Sequence, residues 1–206
     1  EGKREKALPA AKLLMGSIVS NGATHLLTGE NQTALTQGYY SDYTKFSDFE
    51  AEAIRRYYDY MIRYENLFFD PELQDVTMTH TGWDNYEYQC TSHKVSSYGE
   101  AGKIWMILRE KDYRKCIYLL NLCGQSEDYW NEGKEEPNIQ KDIKFTVQVD
   151  TPVEKICFST PDGENMDAIE LSFTERATKT GKFIDFTVPS LNYWTTIWID
   201  TRKETI

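Results

Sequence analysis

Residues 103–122 read KIWMILREKDYRKCIYLLNL. Two apolar runs flank the polar pair Lys111-Asp112, which reads as a turn, so the segment predicts two antiparallel strands, Lys103–Glu110 and Lys115–Leu122. The same period of two continues on both sides. It predicts strands at Val76–His80, Tyr86–Ser92, Lys141–Val149, Glu154–Ser159, Ala168–Phe173, Lys182–Val188 and Thr195–Asp200. Turn signals at Gly124-Gln125, Pro161-Asp162-Gly163, Thr180-Gly181 and Pro189-Ser190 separate most of them. Short strands with regular breaks over residues 75–206 argue for an antiparallel β-sandwich domain. The stretch 125–140, QSEDYWNEGKEEPNIQ, has no period and reads as a surface loop.

Upstream of Asp75 the period is helical. Residues 6–20 carry Leu8, Ala11, Leu14, Met15, Ile18 and Val19 at helical spacing, with Pro9 suited to the first turn and Asn21-Gly22 as a stop. The run 24–28, THLLT, reads as a short buried strand. A second helix is predicted from an N-cap at Ser47, with Glu50 completing a capping box, as far as about Phe69, before Asp70-Pro71. Its apolar face is predicted to hold Phe49, Ala53, Ile54, Tyr57, Tyr60, Met61, Tyr64, Leu67 and Phe68.

Helix, strand and helix make one unit of a parallel sheet, and a lone parallel strand leaves its backbone groups unpaired. A (β/α)8 barrel takes about 250 residues. Two readings follow for residues 1–74: the helices pack on the sandwich as an α+β domain, or the segment is the C-terminal remnant of a barrel whose other units precede Glu1. The charged start at Glu1, with no initiator Met and no signal-peptide core, favours the second.

Composition narrows the function classes. The 206 residues carry a net charge of -10, which argues against nucleic-acid binding, and no apolar run approaches the ~20 residues of a membrane span. With 14 Tyr and 5 Trp, there is aromatic surface for packing and for stacking on sugar rings. Cys90, Cys116, Cys123 and Cys157 show neither C-x-x-C spacing nor zinc spacing and read as free thiols among apolar neighbours, with a disulfide as the alternative in an exported protein. No cofactor and no metal site is expected. The turn from Asp162 to Asp167 does not fit a calcium loop and reads as a solvated hairpin turn. Asn31-Gln32-Thr33 matches a glycosylation sequon.

Four segments together carry a resemblance: the helix 10–20 followed by Asn21-Gly22-Ala23, the run His25-Leu26-Leu27-Thr28-Gly29-Glu30, the helical Tyr57-Tyr58-Asp59-Tyr60, and Arg63-Tyr64-Glu65-Asn66-Leu67 running to Asp70. In this order they resemble the end of the catalytic barrel in family 66 glycoside hydrolases, the dextranases and cycloisomaltooligosaccharide glucanotransferases. Leu26-Leu27-Thr28 stands where that family often has Ile-Glu-Leu, and Phe68-Phe69 where it often has Leu-Arg.

The resemblance implies the C-terminal part of a retaining, exported bacterial enzyme acting on α-1,6-glucan. In such enzymes an Asp nucleophile and a Glu acid/base stand roughly 5–5.5 Å apart. Both belong to earlier barrel strands, so no residue here takes a catalytic role and the segment alone is expected to be inactive. Barrel sites lie at the C-terminal ends of strands. Glu30, Asn31 and Gln32 are therefore the candidates for hydrogen bonds to sugar hydroxyls, and Tyr39, Tyr40 and Tyr43 for stacking. His25, at the other end of the run, reads as structural. Two competing readings are a non-catalytic carbohydrate-binding sandwich using an exposed aromatic such as Trp130, and a structural module without a ligand.

Overall fold

The computed structural model describes residues 4–35, 43–82 and 84–202. Its central element is the last strand, Trp194–Thr201 (β13), in which every residue is buried. A strand buried on both faces must lie between two apolar layers, and its residues alternate between them. Ile197 and Ile199 enter one core, while Trp194 and Trp198 enter the other.

The first core lies between two mainly antiparallel sheets. One sheet contains, in order, Ile169–Leu171 (β10), Val153–Ser159 (β9), β13, Arg114–Asn121 (β7), Ile104–Lys111 (β6) and Gln74–Asp75 (β3), with Val95–Ser96 (β5) parallel to β6. The other contains Phe173–Thr178 (β11), Gly181–Leu191 (β12), Gln140–Val149 (β8) and Tyr88–Cys90 (β4). The predicted hairpin forms as β6 and β7, with Lys111 opposite Arg114. Ile104, Met106 and Leu108 from β6 meet Ile143, Phe145 and Val147 from β8 across the sandwich. Phe145 and Phe186 stack with centroids 5.6 Å apart.

The second core covers the outer face of the larger sheet with helices Ala7–Ser20 (α1), Asp48–Arg63 (α2) and Glu65–Phe68 (α3). Tyr57, Tyr60 and Phe68 surround Trp194, with Tyr60 edge-on at 5.0 Å. The capping box forms: the Glu50 amide donates to Ser47 Oγ, and the Glu50 side chain accepts from the Ser47 amide. Asn21 caps α1, and Gly22 takes φ 82°, a left-handed conformation suited to glycine. The helices thus pack on the sandwich, giving a three-layer mixed α/β arrangement. The remaining elements are Thr33–Leu35 (β1), Tyr43–Lys45 (β2) and the helical turn Thr77–His80 (α4).

Several expectations are corrected. Residues 24–27 join no ladder among the described residues, and Thr28 makes a single antiparallel bridge to Ala34 instead of a buried parallel strand. Leu26 is 71% exposed, because no neighbouring strand covers it among the described residues. Val76–His80 contains a helical turn, because the Asp75 carboxylate accepts from the Thr77 amide and starts the coil. Phe49 is 75% exposed, beyond the edge of the core its spacing assigned it to. The second helix breaks at Tyr64, where φ is -114°. Strand β11 follows β10 after one residue and was not legible, because most of its side chains are exposed and polar.

The turn after β9 is also corrected. It is a clamp on α2 and not a solvated hairpin end. Tyr57 Oη donates to Asp162 Oδ1 (2.8 Å), Arg56 donates to the carbonyls of Pro161 and Gly163 (2.5 Å each), and Tyr64 Oη donates to the Met166 carbonyl (2.6 Å). All four cysteines are free thiols. Cys116 and Cys157 lie on opposite sides of Trp198 in adjacent strand pairings.

Candidate functional site

Beyond α1 the chain is tied to α2 by one side chain. Tyr58 Oη donates to the His25 carbonyl (3.0 Å) and accepts from the Leu27 amide (2.9 Å). One hydroxyl thus meets two backbone groups that a sheet neighbour would otherwise satisfy. Gly29 N then donates to the Thr33 carbonyl (2.7 Å), so residues 28–34 close into a narrow loop.

At its tip is a single helical turn, Glu30–Gln32. Asn31 and Gln32 both take left-handed backbone angles, φ 54° and 58°. Asn tolerates that region, but a Gln there costs on the order of 1 kcal/mol, and such outliers gather where a loop presents side chains to a ligand. Three hydrogen bonds hold the strained turn: Gly29 N to Thr33 O, Thr33 Oγ1 to Glu30 O (2.6 Å), and Phe46 N to Gln32 O (2.7 Å). Arg4 secures the next segment by donating to the Lys45 carbonyl (2.9 Å) and to Glu50 (2.5 Å).

The turn brings the carboxylate of Glu30 and the carboxamides of Asn31 and Gln32 together at an exposed tip. One strong acceptor and two groups that both donate and accept match the hydroxyls of a sugar. Tyr39 and Tyr40 lie outside the described residues, and Tyr43 contributes its backbone to β2. His25 Nδ1 is enclosed without a partner among the described residues, and burial lowers the pKa of the ring, which favours its neutral form.

The buried and part-buried carboxylates do structural work instead. Asp200 accepts from Arg114 (2.6 Å), Glu110 accepts from Lys115 (2.7 Å) and from Tyr88 Oη, and Asp162 is enclosed under α2. Among the described residues, no group of three or more His, Cys, Asp or Glu is placed to hold a metal ion. The role of Tyr58 was missed because it lies beside the predicted apolar face and no local signal shows what its hydroxyl would meet. The inward placement of Asp162 was missed because a Pro-Asp-Gly turn reads as solvated.

The sequence profile of glycosyl hydrolase family 66 matches residues 7–198. The chain belongs to this family. Two family 66 relatives are cycloisomaltooligosaccharide glucanotransferases of Niallia circulans, 28% identical over 193 residues and 25% identical over 191 residues. These alignments take in 92% and 91% of this chain but only 19% of each relative, so the chain spans about a fifth of their length. A crystal structure of a Paenibacillus sp. cycloisomaltooligosaccharide glucanotransferase, complexed with cycloisomaltoheptaose, shares the fold with a TM-score of 0.82 at 22% identity. That match covers 93% of this chain and 27% of the other. The family 66 resemblance carried by His25–Glu30 and Tyr57–Asp70 is thereby established for the chain as a whole.

Proposed function

We propose that this chain is the C-terminal part of a retaining family 66 enzyme that cleaves or transglycosylates α-1,6-glucan. The observation that carries the reading is a family match running through both the helical segment and the sandwich, from residue 7 to residue 198. In this reading residues 1–74 are the last part of a (β/α)8 barrel, and residues 75–206 are its supporting sandwich. The exposure of Leu26 supports it, since barrel strands on either side would cover that side chain. In this reading the nucleophile and the acid/base lie upstream of this chain, and its span of only 19% of each relative leaves room for them. The parent is exported and acts at or beyond the cell surface.

Within the chain, Glu30, Asn31 and Gln32 line one edge of the sugar cleft. Glu30 accepts from sugar hydroxyls, and the strained backbone turn fixes the points from which the two carboxamides leave the chain. Preorganisation of this kind raises affinity by reducing the entropy lost on binding. The experiment is to assay the chain on dextran for released reducing sugar and for cyclic products. No turnover is expected, and sustained turnover would overturn the placement of the catalytic pair elsewhere. In the full-length enzyme, Glu30→Gln should raise KM for dextran, and an unchanged KM would remove the turn from the cleft.

A further inference from the structure

The loop between β7 and β8, residues 125–139, has no regular structure, yet a set of buried polar groups fixes its shape. Gln125 closes its neck: Nε2 donates to the Glu135 carbonyl (2.7 Å) and Oε1 accepts from the Glu135 amide (3.0 Å). Inside the loop the Lys134 side chain is only 2% exposed. Its ammonium donates to Glu127 (2.8 Å) and to the Tyr129 carbonyl, which offsets the cost of removing a charge from water. The Lys134 amide donates to the Lys6 carbonyl (3.1 Å), and Lys6 pairs with Glu135, so the loop is tied to the start of α1.

Aromatic rings are what this scaffold holds outward. Tyr129 is 65% exposed and Trp130 38%. The Trp130 ring lies 5.9 Å from Trp105 at 52°. Gly99 lets the two indoles approach: a Cβ there would stand 3.3 Å from Trp130 and 3.4 Å from Trp105. Tyr98, the residue before it, is 59% exposed. Asp128 and Glu132 are exposed in the same loop. Rings presented by a tied-down loop that also carries exposed carboxylates suit a pyranose, whose C–H face stacks on the ring while its hydroxyls donate to carboxylates. The acidic surroundings also disfavour an anionic partner, in a chain of net charge -10.

We propose that Trp130, backed by the part-buried Trp105, forms with the exposed Tyr129 and Tyr98 an accessory glucan-binding platform, outside the Glu30–Gln32 turn, whose exposed rings stack on the glucose units of a chain. This rests on the glucan reading above. The test is native gel electrophoresis of the chain in gels containing dextran, starch or a soluble β-glucan, with Trp130→Ala and Tyr129→Ala alongside. Both side chains are exposed enough for truncation to leave the fold intact, which far-UV circular dichroism checks.

Dextran should retard the chain, and Trp130→Ala should weaken that retardation roughly tenfold. Retardation by dextran that both variants retain would overturn the platform and leave the glucan reading standing. Retardation by starch or β-glucan alone, lost in Trp130→Ala, would support the platform and count against the α-1,6 assignment. No retardation in any gel would overturn the platform, while dextran turnover by the full-length enzyme still tests the glucan reading separately.

Discussion

Tyr57 donates its hydroxyl to Asp162 across 2.8 Å, joining α2 to the turn that follows β9. The other oxygen of Asp162 accepts from the backbone amides of Tyr193 and Trp194, each at 3.1 Å. Lys12 of α1 stands 3.7 Å away. One carboxylate therefore connects both long helices to the sandwich beside Trp194, where the two cores meet. Tyr57→Phe removes one donor and leaves the carboxylate enclosed. Hydrogen bonds to buried charges contribute about 2 kcal/mol, so urea unfolding should show a loss of that order. An unchanged midpoint would mean that the bond does not hold the layers together.

Burial pushes the Asp162 carboxyl above its ordinary value of 3.8, against the opposing pull of Lys12 and of the Tyr57, Trp194 and Tyr193 hydrogen bonds. Between 3.8 and that raised folded-state value, the folded chain binds more protons than the unfolded chain. Its contribution to stability therefore falls as pH rises through this window. Asp162→Asn removes the titration. The difference in unfolding free energy, wild type minus variant, should decrease from pH 3.5 upward and then level off. A difference that grows with pH would reverse the assignment.

Gly16 faces the sheet from α1. A Cβ at this position would stand 2.7 Å from Leu120 Cδ2 and 3.1 Å from Trp194 Cγ. Gly→Ala in a helix ordinarily gains roughly 0.5–1 kcal/mol. Here the overpacking cost, typically about 1–3 kcal/mol, opposes that gain, and both neighbours are fully buried. Gly16→Ala should lower Tm, and a rise in Tm would show that the helix shifts to make room.

Burial pushes the Cys116 thiol up to about 12, and also raises Cys157 and Cys123 above the ordinary value. The thiolate is the reactive form. At pH 8 the native chain should release little colour from Cys116 with a thiol reagent, and full labelling should appear only in denaturant. Rapid native labelling at Cys116, mapped by mass spectrometry, would contradict the buried position opposite Trp198.

The sequence by itself determined a good deal about this protein. Short apolar runs such as Ile104–Leu108 and Ile117–Leu120, set off by the Lys111-Asp112 turn, mark strands. Ser47 and Glu50 mark the start of α2, because the free amides of a first turn need those partners. The family was legible at His25–Glu30 and Tyr57–Asp70, and Glu30, Asn31 and Gln32 stood out as polar groups following an apolar run.

Tertiary structure alone decided where the layers meet. A strand pattern does not say that the outer face of β7 and β13 is covered, so only the fold shows why Trp194 and Tyr118 are both buried. Local rules made Asp162 a solvated turn residue and Thr24–Thr28 a buried strand. The packing of α2 reversed the first by enclosing the carboxylate under Tyr57. The second failed because a strand exists only when a neighbour supplies its hydrogen bonds, and here Tyr58 takes that role.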